Sequence, residues 1–342
     1  MRQMIFFVLA RISQNNGCLS QSLAGRTCRG LLLGIERKDM IYFQNAGKFI
    51  LKDIELYIPK GVAVGIIGAS GAGKTTLLKL VSGLLESDVG IVRTMGKNPV
   101  KERRQLSTCL HAYFAEHFYF QEEETARNQF QLMKALYPWD RNMLCEEYKM
   151  LERQFCFSEY VDKPVKQLSL GQRRRVELVA VLMGEAGLYL FDEPANGLDE
   201  QGKRVFWKQL QRKKESGATI LISSHNMEEI RQVCDRIILL DKGRVLYYGD
   251  RDGLIRRFAP TSQIEVRFEG RLPDMEDIPL LWYRIQQDTL RLAYNANRIS
   301  AAEIIQRILG QTQIVRINVM KQNLSDVIAI IQAERRNDER VY

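Results

Sequence analysis

The sequence predicts an α/β fold in which helices cover a mostly parallel β-sheet, and three observations support this prediction. Residues 188–191 and Thr219–Ser223 are short apolar runs of the kind found in buried parallel strands. Residues 173–183, between these runs, have helical character. A strand at 62–67 is followed by a loop and by a helix at 74–85, which makes a βα unit. Strands that alternate with helices in this way are typical of a parallel sheet.

The alternation of strands and helices predicts the domain organisation, because it starts, is interrupted and ends at definite positions in the sequence. Residues 1–33 show no sustained period, so we interpret them as an extension that is either a flexible tail or a misassigned upstream start. A signal peptide is the alternative, but no clear small-residue cleavage site follows the apolar stretch. Residues 34–258 carry the α/β pattern. Within them, the aromatic and acidic residues from about 112 to 165 have helical spacing, which predicts an inserted helical subdomain.

The remaining residues, 259–342, are predicted to form a small α/β accessory domain. Strand-like runs at 264–268, 290–294 and 314–320 alternate with helical spacing near Ala301–Leu309 and 324–332. We can assign no motif in this domain to catalysis.

Composition and charge exclude several classes of protein. The 342 residues are 45% hydrophobic and 27% charged, which indicates a globular rather than a disordered or fibrous chain. The apolar run at 4–10 is far shorter than the roughly 20 residues of a membrane-spanning helix, so we do not expect the chain to cross a membrane by itself. The six cysteines contain no CxxC pair and suggest neither a zinc site nor a disulfide framework. The net charge of +9 is compatible with a position near anionic lipid.

Residues 68–75 have the GxxxxGK[ST] spacing of a phosphate-binding loop and lie between a predicted strand and a predicted helix. Glycines are needed there because backbone N–H groups must curl around phosphate oxygens. Lys74 places a positive charge at the β- and γ-phosphates, Thr75 offers a hydroxyl to Mg²⁺, and the positive end of the helix faces the anion. The residues predicted to bind the nucleotide here are Gly68, Ala69, Ser70, Gly71, Ala72, Gly73, Lys74, Thr75 and Thr76.

Two carboxylates, Asp192 and Glu193, follow the apolar run 188–191 and therefore emerge where a parallel sheet binds its ligand. An apolar run that ends in Asp-Glu is common and mostly structural. The phosphate-binding loop elsewhere in the chain favours the functional interpretation, in which Asp192 holds Mg²⁺ and Glu193 orients and polarises the attacking water.

Further motifs resemble those of one known family. Residues 168–172 read Leu-Ser-Leu-Gly-Gln, and the motifs at 192–194, 196–199 and 223–225 follow in the family's order. The chain therefore resembles the ATP-binding subunits of ATP-binding cassette (ABC) transporters, whose signature is LSGGQ. The similarity covers residues from about 35 to 258. The C-terminal domain has a looser likeness to accessory domains of exporter-type ATPases.

The resemblance implies a head-to-tail dimer that encloses two ATP molecules. Ser169 and Gly171, with the neighbouring Gln172, would close over ATP that is held by Lys74 of the other subunit. Asp199 would lie on the loop that crosses between subunits. The resemblance also implies catalytic roles, which fall on Glu193, His225 and Lys74, with His225 contacting the γ-phosphate and helping Glu193 to position the water.

Two positions depart from the family pattern. Leu170 replaces the second signature position, which is normally glycine. Residues 112–116 fit the family's glutamine loop best, so that Glu116 replaces glutamine and joins Thr75 and Asp192 as a predicted magnesium ligand; His111 and Gln121 are the alternatives. ATPases of lantibiotic self-protection exporters resemble this chain at both positions, which points to export of a peptide antibiotic.

The family also stacks an aromatic side chain on adenine, upstream of the phosphate-binding loop. Phe43 and Tyr42 are the residues at a suitable distance along the chain. Either could instead be a core residue of a strand, because aromatic residues in strands usually pack. We take Phe43 as the predicted adenine contact.

The resemblance implies an ATPase that uses closure of its ATP dimer to drive a separate transmembrane permease in export, from the cytoplasmic face of the membrane. The second cassette comes from another copy or from a related chain. A soluble ABC ATPase that acts on ribosomes or nucleic acid is the rival class, but its members carry two cassettes or a long coiled coil, for which this sequence leaves no space. No nucleic-acid partner is therefore expected. A regulatory cassette with little turnover is the third hypothesis, and the presence of Glu193 and His225 argues against it.

Overall fold

The structure is a computed structural model that describes residues 39–116, 119–136, 141–270, 273–275 and 278–320. The described residues form two compact units, which divide between Tyr248 and Gly249. The predicted N-terminal extension, residues 1–33, and the predicted last helix, residues 324–332, lie outside the described residues.

The first unit contains strands and helices in alternation. Its strands are β1 (Asp39–Lys48), β2 (Leu51–Pro59), β3 (Ala63–Ile67), β4 (Val89–Thr94), β5 (Leu110–Phe114), β6 (Leu188–Asp192), β7 (Thr219–Ser223), β8 (Arg236–Asp241) and β9 (Arg244–Gly249). Its helices are α1 (Lys74–Ser82), α2 (Arg103–Leu106), α3 (Ala126–Leu136), α4 (Arg141–Phe155), α5 (Leu170–Leu182), α6 (Glu200–Glu215) and α7 (Met227–Val233). The predicted α/β class is confirmed.

A six-stranded sheet with the order β5-β6-β7-β3-β8-β9 forms the centre of the first unit. Each pairing from β5 through β8 is parallel. Every residue of β3, β5, β6 and β7 is buried, because helices cover both faces of a parallel sheet. The carboxyl ends of β3, β6 and β7 therefore lie side by side at one edge.

A second, antiparallel sheet with the order β2-β1-β4 contributes to the same hydrophobic core. In β1, Met40, Ile41 and Phe43 are buried and Tyr42 is partly exposed. Strands β1 and β4 are not among the elements that the sequence predicts. Met40 to Phe43 are all apolar, so their sequence carries no period of two from which the inward face could be read.

The start of the helical insertion differs from the prediction. Residues 112–114 belong to β5, which pairs in parallel with β6, and the insertion begins only after this strand. The apolar residues of β5 are buried on both faces, as those of the correctly predicted strands are. The predicted helical character of the insertion is present in α3 and α4. They enclose an aromatic cluster in which the Phe130 ring centroid lies 5.4, 5.2 and 5.9 Å from those of Phe120, Tyr148 and Phe157.

Helix α1 is shorter than predicted, because it ends at Ser82 rather than at residue 85. Gly83 follows with φ 72, the left-handed conformation that glycine adopts without steric penalty, and its N–H donates to a carbonyl of the last turn. This is the usual way in which a helix stops at a glycine.

The second unit contains a four-stranded antiparallel sheet. Its elements are α8 (Arg251–Phe258), β10 (Thr261–Glu269), β11 (Leu280–Gln286), β12 (Thr289–Asn295), α9 (Ala301–Leu309) and β13 (Gln313–Met320). The strand order is β11-β12-β10-β13, and one sheet face packs on Ile304 and Ile308 of α9. Helix α8 belongs to this unit, so the division precedes the boundary expected at Phe258. None of the helices in the described ranges combines the length and the apolarity that a bilayer crossing requires.

Buried His111 in β5 gives the fold a testable pH dependence. Its Nδ1–H donates to the carbonyl of Val181 at 2.9 Å, and burial, aided by the charge of Lys213, lowers its pKa from 6.5 to about 4. The unfolded chain therefore takes up a proton on this ring at a higher pH than the folded chain does. Stability is lost as the pH falls below the unfolded pKa.

We expect His111 to reduce the free energy of unfolding by about 2 kcal/mol between about pH 7.5 and about pH 5. His111→Asn places an amide N–H at the position of the Nδ1–H that donates to Val181 but does not titrate, so its free energy of unfolding should fall less over this range. Urea denaturation of both proteins at each pH measures the difference. An equal loss of the free energy of unfolding in the two proteins would contradict the lowered pKa of His111.

Candidate functional site

Residues 68–75 form the loop between β3 and α1, and two of its glycines lie where no side chain fits. Gly73 has φ 105, and a Cβ on it would lie 2.6 Å from Cδ2 of Leu51. A Cβ on Gly68 would lie 2.2 Å from the carbonyl oxygen of Leu240. Glycine at these positions permits the tight curve that brings backbone N–H groups toward an anion.

Lys74 is the first residue of α1, and its side chain turns back over the loop. Its Nζ donates to the carbonyl of Gly68 at 2.9 Å and approaches that of Ala69 at 3.3 Å. The ammonium group therefore lies within the curve of the loop, beside the positive end of the α1 dipole. A bound phosphate would meet both of these positive charges.

Thr75, Asp192 and Ser223 form a chain of hydrogen bonds between α1 and the ends of β6 and β7. Thr75 Oγ1 donates to Asp192 Oδ2 at 2.7 Å, and Ser223 Oγ donates to Asp192 Oδ1 at 2.5 Å. Asp192 is buried. A hydroxyl and a carboxylate are the oxygen ligands that Mg²⁺ takes beside phosphate and water, so this donor set fits the predicted ion.

Glu193 follows Asp192 but lies in different surroundings. Its backbone N–H donates to Ser223 Oγ at 3.0 Å, and it has φ 48, which is uncommon for a residue other than glycine. Its Oε2 lies 2.8 Å from Nδ1 of His225, whose side chain is 67% exposed. Both carboxylate oxygens of Asp192 thus accept hydrogen bonds from hydroxyl groups. The carboxylate of Glu193 instead points toward the exposed side of the site.

The signature residues form the start of α5. Ser169 is the N-cap, with its Oγ accepting from Gln172 N at 3.2 Å while Gln172 Oε1 accepts from Ser169 N at 3.0 Å. This reciprocal pair is a capping box. Leu170 is 63% exposed, so its side chain does not disturb the first turn. A Cβ on Gly171 would lie 3.2 Å from the carbonyl oxygen of Gly197, which places the signature against the loop at 196–199.

Asp199 ends that loop and is the N-cap of α6. Its Oδ1 accepts from the N–H of Gly202 at 2.9 Å, and its Oδ2 accepts from Arg175 at 2.5 Å. The Gly202 N–H and the Arg175 guanidinium hold the pKa of Asp199 below its usual range. The carboxylate is therefore fixed by α5 and α6 within this chain.

Glu116 lies two residues after β5 and pairs with α1. Its Oε2 accepts from Lys79 Nζ at 3.1 Å, and its side chain is 68% exposed. Of the two alternatives, His111 is buried and bonded to Val181 of α5, so it does not face the phosphate loop. Gln121 is exposed further along the chain. Glu116 is thus joined to the helix that follows the phosphate loop.

The predicted adenine contact is wrong. Phe43 is fully buried in the core, because the inward-facing positions of β1 include it, and its ring offers no face to a base. Phe49, in the turn between β1 and β2, is 71% exposed. Its neighbour Ile50 has a methyl group 3.3 Å from where a Cβ on Gly73 would lie, so this turn borders the phosphate loop. Phe49 is not among the residues predicted from the sequence, although an aromatic residue in a turn is itself a signal.

The structure brings the predicted phosphate-binding and catalytic residues together. The signature residues lie on a different helix from the phosphate loop. The phosphate loop, Asp192, Glu193 and His225 meet at the carboxyl ends of β3, β6 and β7, which is the edge where parallel sheets bind ligands. Ser169 begins α5, whereas Lys74 begins α1.

Comparisons with known proteins identify one family of relatives. The family model described as ABC transporter matches residues 51–196. The ABC transporter ATP-binding protein NatA of Bacillus subtilis is 33% identical over 214 residues, which cover 62% of this chain and 87% of NatA. The Nod factor export ATP-binding protein I of Sinorhizobium fredii is 30% identical over 219 residues, which cover 64% of each chain.

A solved structure has the same fold. The dimeric structure of a bacterial ABC transporter cassette superposes with a TM-score of 0.55 and 25% identity, over 62% of this chain and 98% of that cassette. The match to nearly the whole of NatA, the shared fold and the assembled phosphate loop lead to one conclusion. The chain belongs to the family of ABC transporter ATP-binding subunits, which hydrolyse ATP to power transport.

Proposed function

We propose that this chain is the motor of an exporter, in which two cassettes close on two MgATP and drive a separate transmembrane permease. The observation that carries this proposal is the joining of Thr75 to Asp192 and of Glu193 to His225 at the sheet edge that bears the phosphate loop. The similarity to a Nod factor export subunit favours export. In this function the chain lies on the cytoplasmic face of the membrane and has no nucleic-acid partner.

Each residue of the assembled site has a role in this proposal. Lys74 and the loop N–H groups bind the β- and γ-phosphates, while Thr75 and Asp192 hold Mg²⁺, which neutralises charge on the phosphates when bound. Glu193 accepts a hydrogen bond from the attacking water and orients it toward the γ-phosphate. His225 contacts the γ-phosphate and, through its bond to Glu193, fixes the direction of that carboxylate.

The second cassette completes the site in this proposal. Ser169, Gly171 and Gln172 contact the ATP that the partner's phosphate loop holds, and Asp199 lies at the crossing between subunits. The capped start of α5 is exposed, and the positive end of its dipole is suited to an anion on another chain. Because Asp199 is already bonded to Gly202 and Arg175, its loop would reach the partner as a fixed rather than a pliable segment.

Glu116 replaces the neutral amide of the family and acts near the metal. Its pairing with Lys79 supplies a compensating positive charge next to the phosphate-loop helix. We propose that Glu116 supports Mg²⁺ binding while Lys79 limits repulsion between this carboxylate and the two at residues 192 and 193.

The adenine ring stacks on Phe49 in this proposal. The Nζ of Lys48 lies 5.0 Å from the centroid of the Phe49 ring, which is a cation–π contact.

Capture of the partner tests the exporter function. Glu193→Gln should reduce ATP turnover by about a hundredfold or more and hold ATP in the closed dimer. When this variant is purified with ATP from detergent-solubilised membranes of its native cell, we expect a stoichiometric polytopic membrane protein to co-purify. Lys74→Ala, which should not hold the phosphates, is the matched control and should recover less permease. Recovery of ribosomal or nucleic-acid components alone would contradict transport.

Replacing Glu116 tests its role near the metal. Glu116→Gln removes one negative charge and leaves Lys79 uncompensated, so the Mg²⁺ concentration for half-maximal turnover should rise by about threefold to tenfold. Titration of Mg²⁺ at saturating ATP measures this. Glu123→Gln, an exposed change in the loop that follows, serves as the control. An unchanged Mg²⁺ requirement in Glu116→Gln would remove Glu116 from the metal site.

Replacing Phe49 tests the adenine contact. Phe49→Ala should raise the KM for ATP on the order of tenfold with little change in kcat, because stacking contributes to binding in both the ground state and the transition state. Tyr57→Ala removes another exposed aromatic ring of the same sheet and should leave KM within about twofold. If Phe49→Ala and Tyr57→Ala have the same KM, the base lies elsewhere.

A further inference from the structure

Three consecutive arginines, Arg173, Arg174 and Arg175, follow the signature in the first two turns of α5. Their side chains reach different segments of the chain. Arg175 binds Asp199, as described above, and Arg173 Nη1 lies 3.3 Å from Oε1 of Glu122. The middle arginine, Arg174, contacts two of the loops that border the proposed ATP sites.

The first of these contacts is to the segment that carries Glu116. Arg174 Nη2 donates to the carbonyl of Ala115 at 2.7 Å, and its Nη1 donates to the hydroxyl of Tyr113 at 2.8 Å. Ala115 directly precedes Glu116, and Tyr113 lies in β5 just before it. The guanidinium thus fixes the backbone from which Glu116 extends toward Lys79.

The second contact is to the loop at 196–199. The Cγ of Arg174 lies 3.6 Å from where a Cβ on Gly197 would be, and Gly197 has φ 83. The aliphatic part of the arginine therefore packs directly on the backbone of this loop. One side chain of the signature helix touches both loops, with its guanidinium on one and its methylene groups on the other.

Glu177 holds Arg174 in this position. It is fully buried, and its Oε2 accepts from Arg174 Nη1 at 3.1 Å while its Oε1 accepts from Arg173 Nε at 3.0 Å. Burial raises the pKa of Glu177, and the two guanidinium groups oppose that shift. Because each oxygen of this buried carboxylate accepts from a different guanidinium, Glu177 holds both arginines in a defined geometry.

We propose that Arg174 is a positioning residue that fixes the loop of Glu116 and the loop at 196–199 to the signature helix, so that the three move together when ATP is bound. This inference rests on the proposed function, because it takes Glu116 and the signature to act at ATP sites. Arginine is required, since a lysine ammonium cannot bind Ala115, Tyr113 and Glu177 with the planar geometry of a guanidinium.

A double-mutant cycle between Arg174→Lys and Glu116→Gln tests the link in the full-length chain. Arg174→Lys preserves the charge beside Glu177, so we expect it to fold. It should raise the Mg²⁺ concentration for half-maximal turnover by about threefold in the wild-type background and have no further effect in Glu116→Gln. Independent, multiplied effects in the double variant would overturn the proposal.

Arg173→Lys is the matched control, because Arg173 pairs with the same Glu177 but extends to Glu122. We expect it to shift the Mg²⁺ requirement by less than about twofold in either background. A purely structural role for Arg174 would lower the thermal midpoint of Arg174→Lys and leave the cycle additive. An Arg173→Lys shift equal to that of Arg174→Lys would also contradict the specific role of Arg174.

Hydrogen exchange tests the inference separately from turnover. Without nucleotide, backbone amides at 113–116 and 196–199 should exchange several-fold faster in Arg174→Lys than in the wild type, and they should be unchanged in Arg173→Lys. Unchanged exchange in Arg174→Lys would overturn the inference whatever the kinetics show. Absence of wild-type turnover would instead count against the proposed function, and the exchange measurement would still decide the role of Arg174.

Discussion

Parallel pairing of β3, β7 and β6 is the constraint on which the arrangement of the site depends. Because these strands run in one direction, the phosphate loop after β3, the carboxylates after β6 and His225 after β7 reach the same edge. Ser223 joins two of these ends, since its hydroxyl donates to Asp192 and accepts from the N–H of Glu193. One serine therefore sets the spacing between the carboxylate that faces Thr75 and the one that faces His225.

The assembled half of the site could be predicted from the sequence, because its residues follow short apolar strands directly. A residue that directly follows a parallel strand emerges at the carboxyl edge of the sheet. This can be inferred without knowing which face of the sheet its side chain lies on. Phe43 shows where such reasoning stops. In β1 the choice between the inward and outward faces depends on register with β2 and β4, and a run of apolar residues does not reveal it.

Strand β5 was missed for a related reason. Its five residues are buried like those of β6, but aromatic and acidic residues with helical spacing follow it and dominate any window that includes it. The same limit applies to Arg174, Glu177 and Lys79. Arg174 and Glu177 are neighbours on α5, but the contact of Arg174 with Ala115 and the pairing of Lys79 with Glu116 join residues far apart in the sequence, and only the packing of α5 and α1 beside β5 brings them together.

The two predicted departures from the family pattern are compatible with the local structure for different physical reasons. Leu170 lies in the first turn of α5, where the cap is made by Ser169 and Gln172 and does not involve residue 170, so an exposed leucine leaves the capping bonds intact. Glu116, which is predicted to stand where the family has an amide, carries a negative charge, and Lys79 lies 3.1 Å from it. Because Lys79 lies one turn after Thr75 on α1, the charge balance at this edge is maintained by the same helix that binds the phosphates. A carboxylate at position 116 can therefore pair with the cation at position 79, whereas an amide would offer only a neutral hydrogen bond.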